Sequence, residues 1–245
     1  MQCQRCFWLD ARLHIVRPSS PPFTINKAID ELFKKEFDVY RAKSEPHPLM
    51  VKFSIDAIPM QHDQLNTWRQ NFTGVSALHQ PTNLLVFGAI DDLWMDGQGR
   101  AVVVDYKATA KEQGVSIDSD WQISYKRQLE VYQWLLKQNG LSVSPTGYFV
   151  YTNADVSASG FNDHMDFETK IIPYDGDDSW IEPTLKKIKQ VLNEDSMPPV
   201  GSSAMGGACE FCSYARARTE LTLDAINCKP QAKRAHANLQ AEPEL

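Results

Sequence analysis

Residues 87 to 109 read FGAIDDLWMDGQGRAVVVDYKAT, a β-rich run whose most apolar part ends in an acid and a lysine. Two strand-forming segments, 84 to 94 and 100 to 107, flank Asp96-Gly97-Gln98-Gly99, whose composition suits the positive φ angles of a hairpin turn. The two are therefore expected to pair antiparallel. Within the second, the period of two sends Val103, Asp105 and Lys107 to one face. The partner strand carries Asp91 and Asp92 beyond Gly88, and neighbouring strands stand about 4.8 Å apart, so a suitable register brings a second carboxylate to Asp105. Two carboxylates and an ammonium then share one site. Hard oxygens suit Mg²⁺, which takes one or two carboxylates and fills its shell with water and substrate phosphate. A lysine beside them orients water and offsets charge at a scissile phosphate. Phosphodiester hydrolysis needs this combination.

Spacing alone decides little, because an acid followed two residues later by Lys arises about once or twice by chance in a chain this long. Glu168-Thr169-Lys170 repeats it in another expected strand and reads as a surface pair. Context separates Asp105 and Lys107: a preceding strand with two acids, and a following helix with Gln128 and Tyr132 on one face.

Outward from this hairpin, residues 17 to 22 (RPSSPP) read as a loop. Ile25, Ile29, Leu32, Phe33, Phe37 and Tyr40 then recur at helical spacing and predict a helix over 25 to 41. Residues 42 to 83 mix prolines, polar residues and a short Leu65–Trp68 apolar pair without a clear period, and read as irregular with one helix at no assigned position. Trp121, Tyr125, Leu129, Tyr132 and Leu136 define a second long helix over 120 to 139, stopped by Gly140. Strands at 147 to 152 and 164 to 172 precede a third helix bearing Leu185, Ile188 and Leu192. There is no internal repeat. This order suits an α/β fold, a mixed sheet with helices on its faces.

The 245 residues, 42% hydrophobic with six tryptophans, support one packed domain with appendages. The expected organisation is an N-terminal cysteine segment (1–23), a core (24–195), a C-terminal cysteine segment packing on the core (196–228) and a flexible tail (229–245). No run approaches the roughly 18 apolar residues of a membrane span, and MQCQRCFWLD lacks the layout of a secretory signal, so no membrane contact and a cytoplasmic location are expected. A formal charge of −6 argues against nonspecific coating of nucleic acid. Lys126 and Arg127 read either as phosphate contacts or as a solvated helix face.

The ordered set Gly88-Ala-Ile-Asp91, Val-Val-Asp105-Tyr-Lys107 and Gln128-x-x-x-Tyr132 resembles the PD-(D/E)XK nucleases of the RecB-like branch, over residues 24 to 151. The resemblance implies a restriction-endonuclease-like core. In it Asp91, Asp105 and the backbone carbonyl of Tyr106 hold Mg²⁺ or Mn²⁺, Lys107 assists the attacking water, and Gln128 and Tyr132 position the DNA strand or the site. From the residues alone, Gln128 and Tyr132 read equally as an interior polar group and a core tyrosine. Where the family carries His or Glu on its first helix, this chain has Asp30, which shares a flank with Phe33 and Phe37. A metal role and simple complementation of the helix macrodipole both stand for it. Of the adjacent acids, Asp91 is the one that aligns, and Asp92 reads as a solvated turn-side acid.

Cys3-x-x-Cys6 and Cys209-x-x-Cys212 supply two chelating spacings, which form a four-thiolate site if the ends meet, as domain termini often do. Some RecB-like nucleases, including the AddB type and those of CRISPR adaptation, join their ends through a [4Fe–4S] cluster, with one early and three late cysteines. Here the division is two and two, with Arg218 near where the third late cysteine belongs and Cys228 further on. A [4Fe–4S] cluster, Zn²⁺ and, for Cys6 beside Phe7 and Trp8, an ordinary buried thiol all stay open. A metal there staples the ends and does not cut. Resembling proteins carry a further short segment before the first cysteine, so a start earlier than Met1 is expected.

The resemblance implies a metal-dependent DNA nuclease, an exonuclease or flap-processing enzyme of repair, recombination or defence, with DNA as substrate and a protein partner in such a complex. The rival is a noncatalytic nucleic-acid-binding or scaffold protein that keeps the fold and the cysteine metal. It predicts DNA binding indifferent to Mg²⁺. A redox role for the cysteines is a third reading.

Overall fold

The computed structural model describes residues 3–19, 24–112, 114–202 and 207–227; Cys228 and the tail expected over 229–245 lie outside them. In chain order the helices are α1 (Gln4–Leu13), α2 (Thr24–Lys43), α3 (Pro48–Lys52), α4 (Leu65–Trp68), α5 (Ile123–Gln138), α6 (Ile181–Leu192) and α7 (Glu210–Asn227). The strands are β1 (Ala57–Pro59), β2 (Val75–His79), β3 (Leu84–Gly88), β4 (Asp92–Asp96), β5 (Ala101–Thr109), β6 (Thr146–Ala154) and β7 (Phe167–Asp175). Among the described residues they form two compact units, one from the stretch 18–194 and the other from residues 3–17 with those described between 195 and 227.

The larger unit is built on a mixed sheet of order β1-β4-β5-β6-β7. Strands β4 and β5 pair antiparallel, Asp92 opposite Val104, across a turn in which Gly99 takes φ +75°. Strands β5 and β6 pair parallel, which requires a crossover, and α5 supplies it. Apolar side chains leave β5 on both faces, so its run of valines is continuous and not alternating. Val103 packs with Leu129, Leu135 and Leu136 of α5 and Phe149 of β6. Val102 and Val104 face the opposite core, with Phe37 of α2, Met50, Trp94 and Tyr106. Phe37 is fully buried, worth about 1.5–3 kcal/mol, and stacks on Trp94 and His47 with ring centroids 5.4 and 4.1 Å away.

Two expectations are corrected by this topology. The run from 84 to 94 is not one strand. Only its second part, β4, joins β5; the first, β3, pairs with β2 in a separate ribbon in which Val75 faces Gly88 and His79 faces Leu84. The chain leaves the ribbon at Ile90, whose N–H bonds the carbonyl of Trp68 at 3.1 Å instead of a strand. Strand β2 lies in the stretch that reads as irregular: its inward residues are Val75, Ala77 and His79, and Leu78 faces outward, which blurs the alternation. In α2, Ile25 and Leu32 are exposed, and the buried positions are Phe37 and Arg41, one turn apart.

The smaller unit contains α1 and α7, neither of which the periodicity predicts. Each begins at a Cys-x-x-Cys pair: Cys3 is the N-cap of α1 with Cys6 in its first turn, and Cys209 immediately precedes α7 with Cys212 in its first turn. Among the described residues, no helix is long and apolar enough to cross a membrane.

Candidate active site and cysteine centre

Strand β4 begins opposite Val104, whereas β5 runs on to Thr109 with only β6 beside it. The Tyr106 amide thus has no β4 partner, and the Asp91 carboxylate takes its place, accepting that N–H at 2.8 Å. Asp105, one residue earlier, is completely buried and ion-paired with Lys107, yet neither of its oxygens receives a geometrically sound hydrogen bond. Lys107 keeps only 15% side-chain exposure, and its ammonium sits 4.7 Å over the Tyr125 ring. From α2, Asp30 binds Lys34 through Oδ2 at 2.7 Å, while its buried Oδ1 has no partner.

The electrostatics describe a site short of positive charge. Burial, then the Asp105 charge, push the Asp91 carboxyl up to about 7. Burial raises Asp105 as well, with Asp30 adding to it against the pull of Lys107. Asp30 is raised by burial and by Asp91. Burial works to lower the Lys107 ammonium, but Asp105 and Asp91 outweigh it and hold the group above the ordinary lysine value. It therefore stays charged and acts as a donor.

Three buried carboxylate oxygens without a well-formed hydrogen bond, one on Asp30 and two on Asp105, whose counter-charge is the Lys107 ammonium, stand beside the further acid Asp91 and are what a hard divalent cation would satisfy. A cavity of about 230 Å³, lined by Asn26, Ile29, Asp30, Tyr106, Lys107 and Tyr125 among others, opens beside them. Among the described residues the three carboxylates do not draw as close as the four thiols, whose ligand atoms all lie within 4.8 Å of one another. One or two carboxylates with completing water is the coordination Mg²⁺ prefers.

Asp92 is not the solvated acid the sequence suggests. It points to the opposite face of the sheet, with no exposed side-chain surface. Arg41 and Arg69 bind its Oδ1 at 2.5 and 2.6 Å, and the Tyr106 hydroxyl donates to its Oδ2 at 2.7 Å. Arg69 also chelates Asp38 with two bonds of 3.0 Å and donates to the Asp91 carbonyl at 3.2 Å. Tyr106 thus grips both acids, Asp91 through its amide and Asp92 through its phenol. Sequence reasoning missed Arg41, Arg69 and Asp38. Arg41 follows Phe33 and Phe37 at i+4 steps, a signal that was available; Arg69 carried none.

Gln128 donates to the Tyr132 hydroxyl at 2.7 Å. Tyr132 is buried in the core, and its phenol is pushed up by burial and by the charges of Asp91 and Asp105, so the pair lies close to the acids. The ring occupies the space left by the absent side chain of Gly88, where a Cβ would stand 2.7 Å from Cε1. Gly88→Ala must shift that ring, and a loss of about 1–3 kcal/mol is expected in urea denaturation. An unchanged midpoint would show that the ring yields freely. Lys126 and Arg127 lie along the Tyr174 and Trp180 rings at 5.5 and 5.7 Å. Lys170 and Glu168 form an exposed pair at 3.7 Å.

In the smaller unit the four thiols converge. Cys3 Sγ lies 3.7 Å from Cys212 Sγ, and Cys6 Sγ lies 3.7 Å from Cys209 and 3.4 Å from Cys212. The Gly201 N–H reaches Cys3 Sγ at 3.3 Å and Arg17 Nη2 reaches Cys209 Sγ at 3.7 Å. Burial opposes ionisation of Cys3, but the N–H groups of Cys6 and Gly201 bring it down to about 6. This centre can hold a metal.

A family model described as the PD-(D/E)XK nuclease superfamily matches residues 16–217. No curated protein matches the chain in sequence.

Proposed function

We propose that this chain, which belongs to the PD-(D/E)XK nuclease superfamily, a group of metal-dependent nucleases, is a Mg²⁺- or Mn²⁺-dependent deoxyribonuclease of the RecB-like branch. It degrades DNA from an end. The observation that carries this reading is the set of buried carboxylate oxygens on Asp30 and Asp105 that lack a well-formed hydrogen bond, next to the charged Lys107, which lines a cavity.

Asp91, Asp105 and the Tyr106 carbonyl would hold the divalent ion, with Asp30 as a further ligand. The ion supplies Lewis-acid stabilisation of the phosphate and of the departing oxygen. Lys107 donates to the attacking water and to a nonbridging phosphate oxygen, fixing both before charge develops. Water adds to phosphorus and releases a proton to bulk solvent, the phosphorus–oxygen ester bond breaks, and the leaving alkoxide takes a proton back from solvent water. Tyr106 keeps Asp91 turned inward through its amide. Gln128 holds the Tyr132 hydroxyl beside the acids, and the pair positions the site or the incoming strand. The branch and the attack from an end rest on this pair and on the resemblance. Repair, recombination or defence, in company with a protein partner, is the setting this chemistry suits. Among the described residues Cys3, Cys6, Cys209 and Cys212 are free thiols, which suits a reducing compartment such as the cytoplasm.

End-labelled single- and double-stranded DNA, incubated with the protein, is expected to be degraded with Mg²⁺ or Mn²⁺, spared by EDTA, and degraded again when Mg²⁺ is restored in excess. Restoration by Mg²⁺ assigns the requirement to oxygen ligands, since a thiolate centre does not select that ion. DNA bound equally with and without Mg²⁺, and never cut, would establish a binding protein with a nuclease fold.

A further inference from the structure

We propose that the cysteine centre holds one zinc ion in a tetrahedral shell of four thiolates, and not a [4Fe–4S] cluster. The inference stands apart from the nuclease reading, because it uses none of the carboxylate-site residues.

Sulfur spacing decides between the two. With Zn–S bonds of about 2.3 Å, sulfurs at the corners of a tetrahedron stand about 3.8 Å apart. The distances found are 3.7, 3.7 and 3.4 Å, and all four sulfurs fall within 4.8 Å. In a [4Fe–4S] cluster each thiolate binds a different iron, so an iron–iron edge is interposed between any two of them and the sulfurs stand much further apart. The space enclosed by Cys3, Cys6, Cys209 and Cys212 admits a single ion and not an eight-atom core.

The surroundings suit a dianionic tetrathiolate complex. All four cysteines are buried, at 9% exposure or less. The first turns of α1 and α7 both present their N-terminal partial positive charge to the sulfurs. The Gly201 amide and Arg17 add a donor and a full charge. Only a glycine lets the amide at 201 come so near, since a Cβ there would lie 2.7 Å from Cys3 Cα and push the donor away. Between mononuclear ions, zinc binds such a site more tightly than Fe²⁺. Zinc has no redox chemistry, so the centre is a staple indifferent to oxygen.

Metal analysis of the full chain, purified without oxygen so that a cluster would survive, tests the assignment. One zinc per chain, no acid-labile sulfide and no visible chromophore are expected, with an X-ray absorption spectrum showing a single sulfur shell near 2.3 Å, the usual zinc–thiolate distance of about that length. A brown protein with iron and labile sulfide in near-equal amounts overturns the proposal, and so does one iron without sulfide. Loaded with Co²⁺, the protein should show the intense visible bands of a tetrahedral thiolate complex, lost in Cys212→Ser and kept in Lys107→Ala. Zinc lost from Lys107→Ala but retained by Cys6→Ser and Cys212→Ser would place the ion elsewhere and sink the idea. An inactive nuclease that still holds its zinc would count against the function above and not against this centre.

Discussion

Lys107→Ala is expected to lose divalent-dependent DNA cleavage by a factor of at least about 10² while remaining folded, and Lys170→Ala to cut at the wild-type rate. Both lysines follow an acid at the same spacing, so the comparison isolates environment. Lys170 and its acid are exposed, at 44% and 68%, and separated by 3.7 Å of solvated contact. An ion pair of that kind contributes at most about 1 kcal/mol and orients nothing. Lys107 is 15% exposed, held by Asp105 and stacked over Tyr125, so its ammonium has one place to be. Where water is largely excluded, a fixed charge acts on a developing oxyanion without reorganising. The fold should survive the substitution because Asp91, already raised to about 7, takes up a proton at neutral pH when the ammonium is gone. Cleavage of labelled DNA, set beside circular dichroism and a thermal midpoint, reads both halves of the expectation. A folded Lys107→Ala that cuts as wild type removes Lys107 from the chemistry.

The part of this site that was legible in the sequence is the part governed by local periodicity. Val103, Asp105 and Lys107 share a face because a strand repeats every two residues, and the Asp-Gly-Gln-Gly turn announced the hairpin that brings β4 alongside. The break between β3 and β4 was not legible. It arises because Tyr132, 44 residues after Gly88 in sequence, fills the space beside that glycine, and because Ile90 pairs with the end of α4. The fate of Asp92 was likewise hidden, since its partners lie 51 and 23 residues away and no spacing links them. Helix α7 escaped notice for the opposite reason. Its Tyr214, Leu221, Leu223 and Ile226 are exposed, so no inward stripe marks it. The two Cys-x-x-Cys pairs foretold that the ends meet, but not how closely the sulfurs approach.

Asp91 and Asp92 are neighbours in sequence, yet substitutions at them should fail in opposite ways. Asp92→Ala leaves the buried guanidiniums of Arg41 and Arg69 without their shared acceptor and the Tyr106 hydroxyl without a partner. Breaking a buried ion pair from one side costs about 3–5 kcal/mol, and a urea midpoint lowered to match is expected. Asp91→Asn keeps an oxygen for the Tyr106 amide but removes a charge that repels Asp105 and Asp30. Cleavage should vanish while stability holds or rises. The pH dependence gives a sharper reading. Asp91 has its folded pKa raised from 3.8 to about 7, so the stability linked to its protonation is fully present below about pH 4 and is lost as pH rises through about 7. With Mg²⁺ and Mn²⁺ omitted, this group makes wild type more stable at about pH 5 than at about pH 8, and Asp91→Asn should lose that gain. Chelators are left out of the measurement so that the thiolate centre keeps its metal. Adding Mg²⁺ at the higher pH should stabilise wild type and not Asp91→Asn, because the carboxylate that repels its neighbours when alone is the one that binds the ion. An Asp91→Asn protein destabilised as deeply as Asp92→Ala would mean that Asp91, too, serves the fold before it serves any metal.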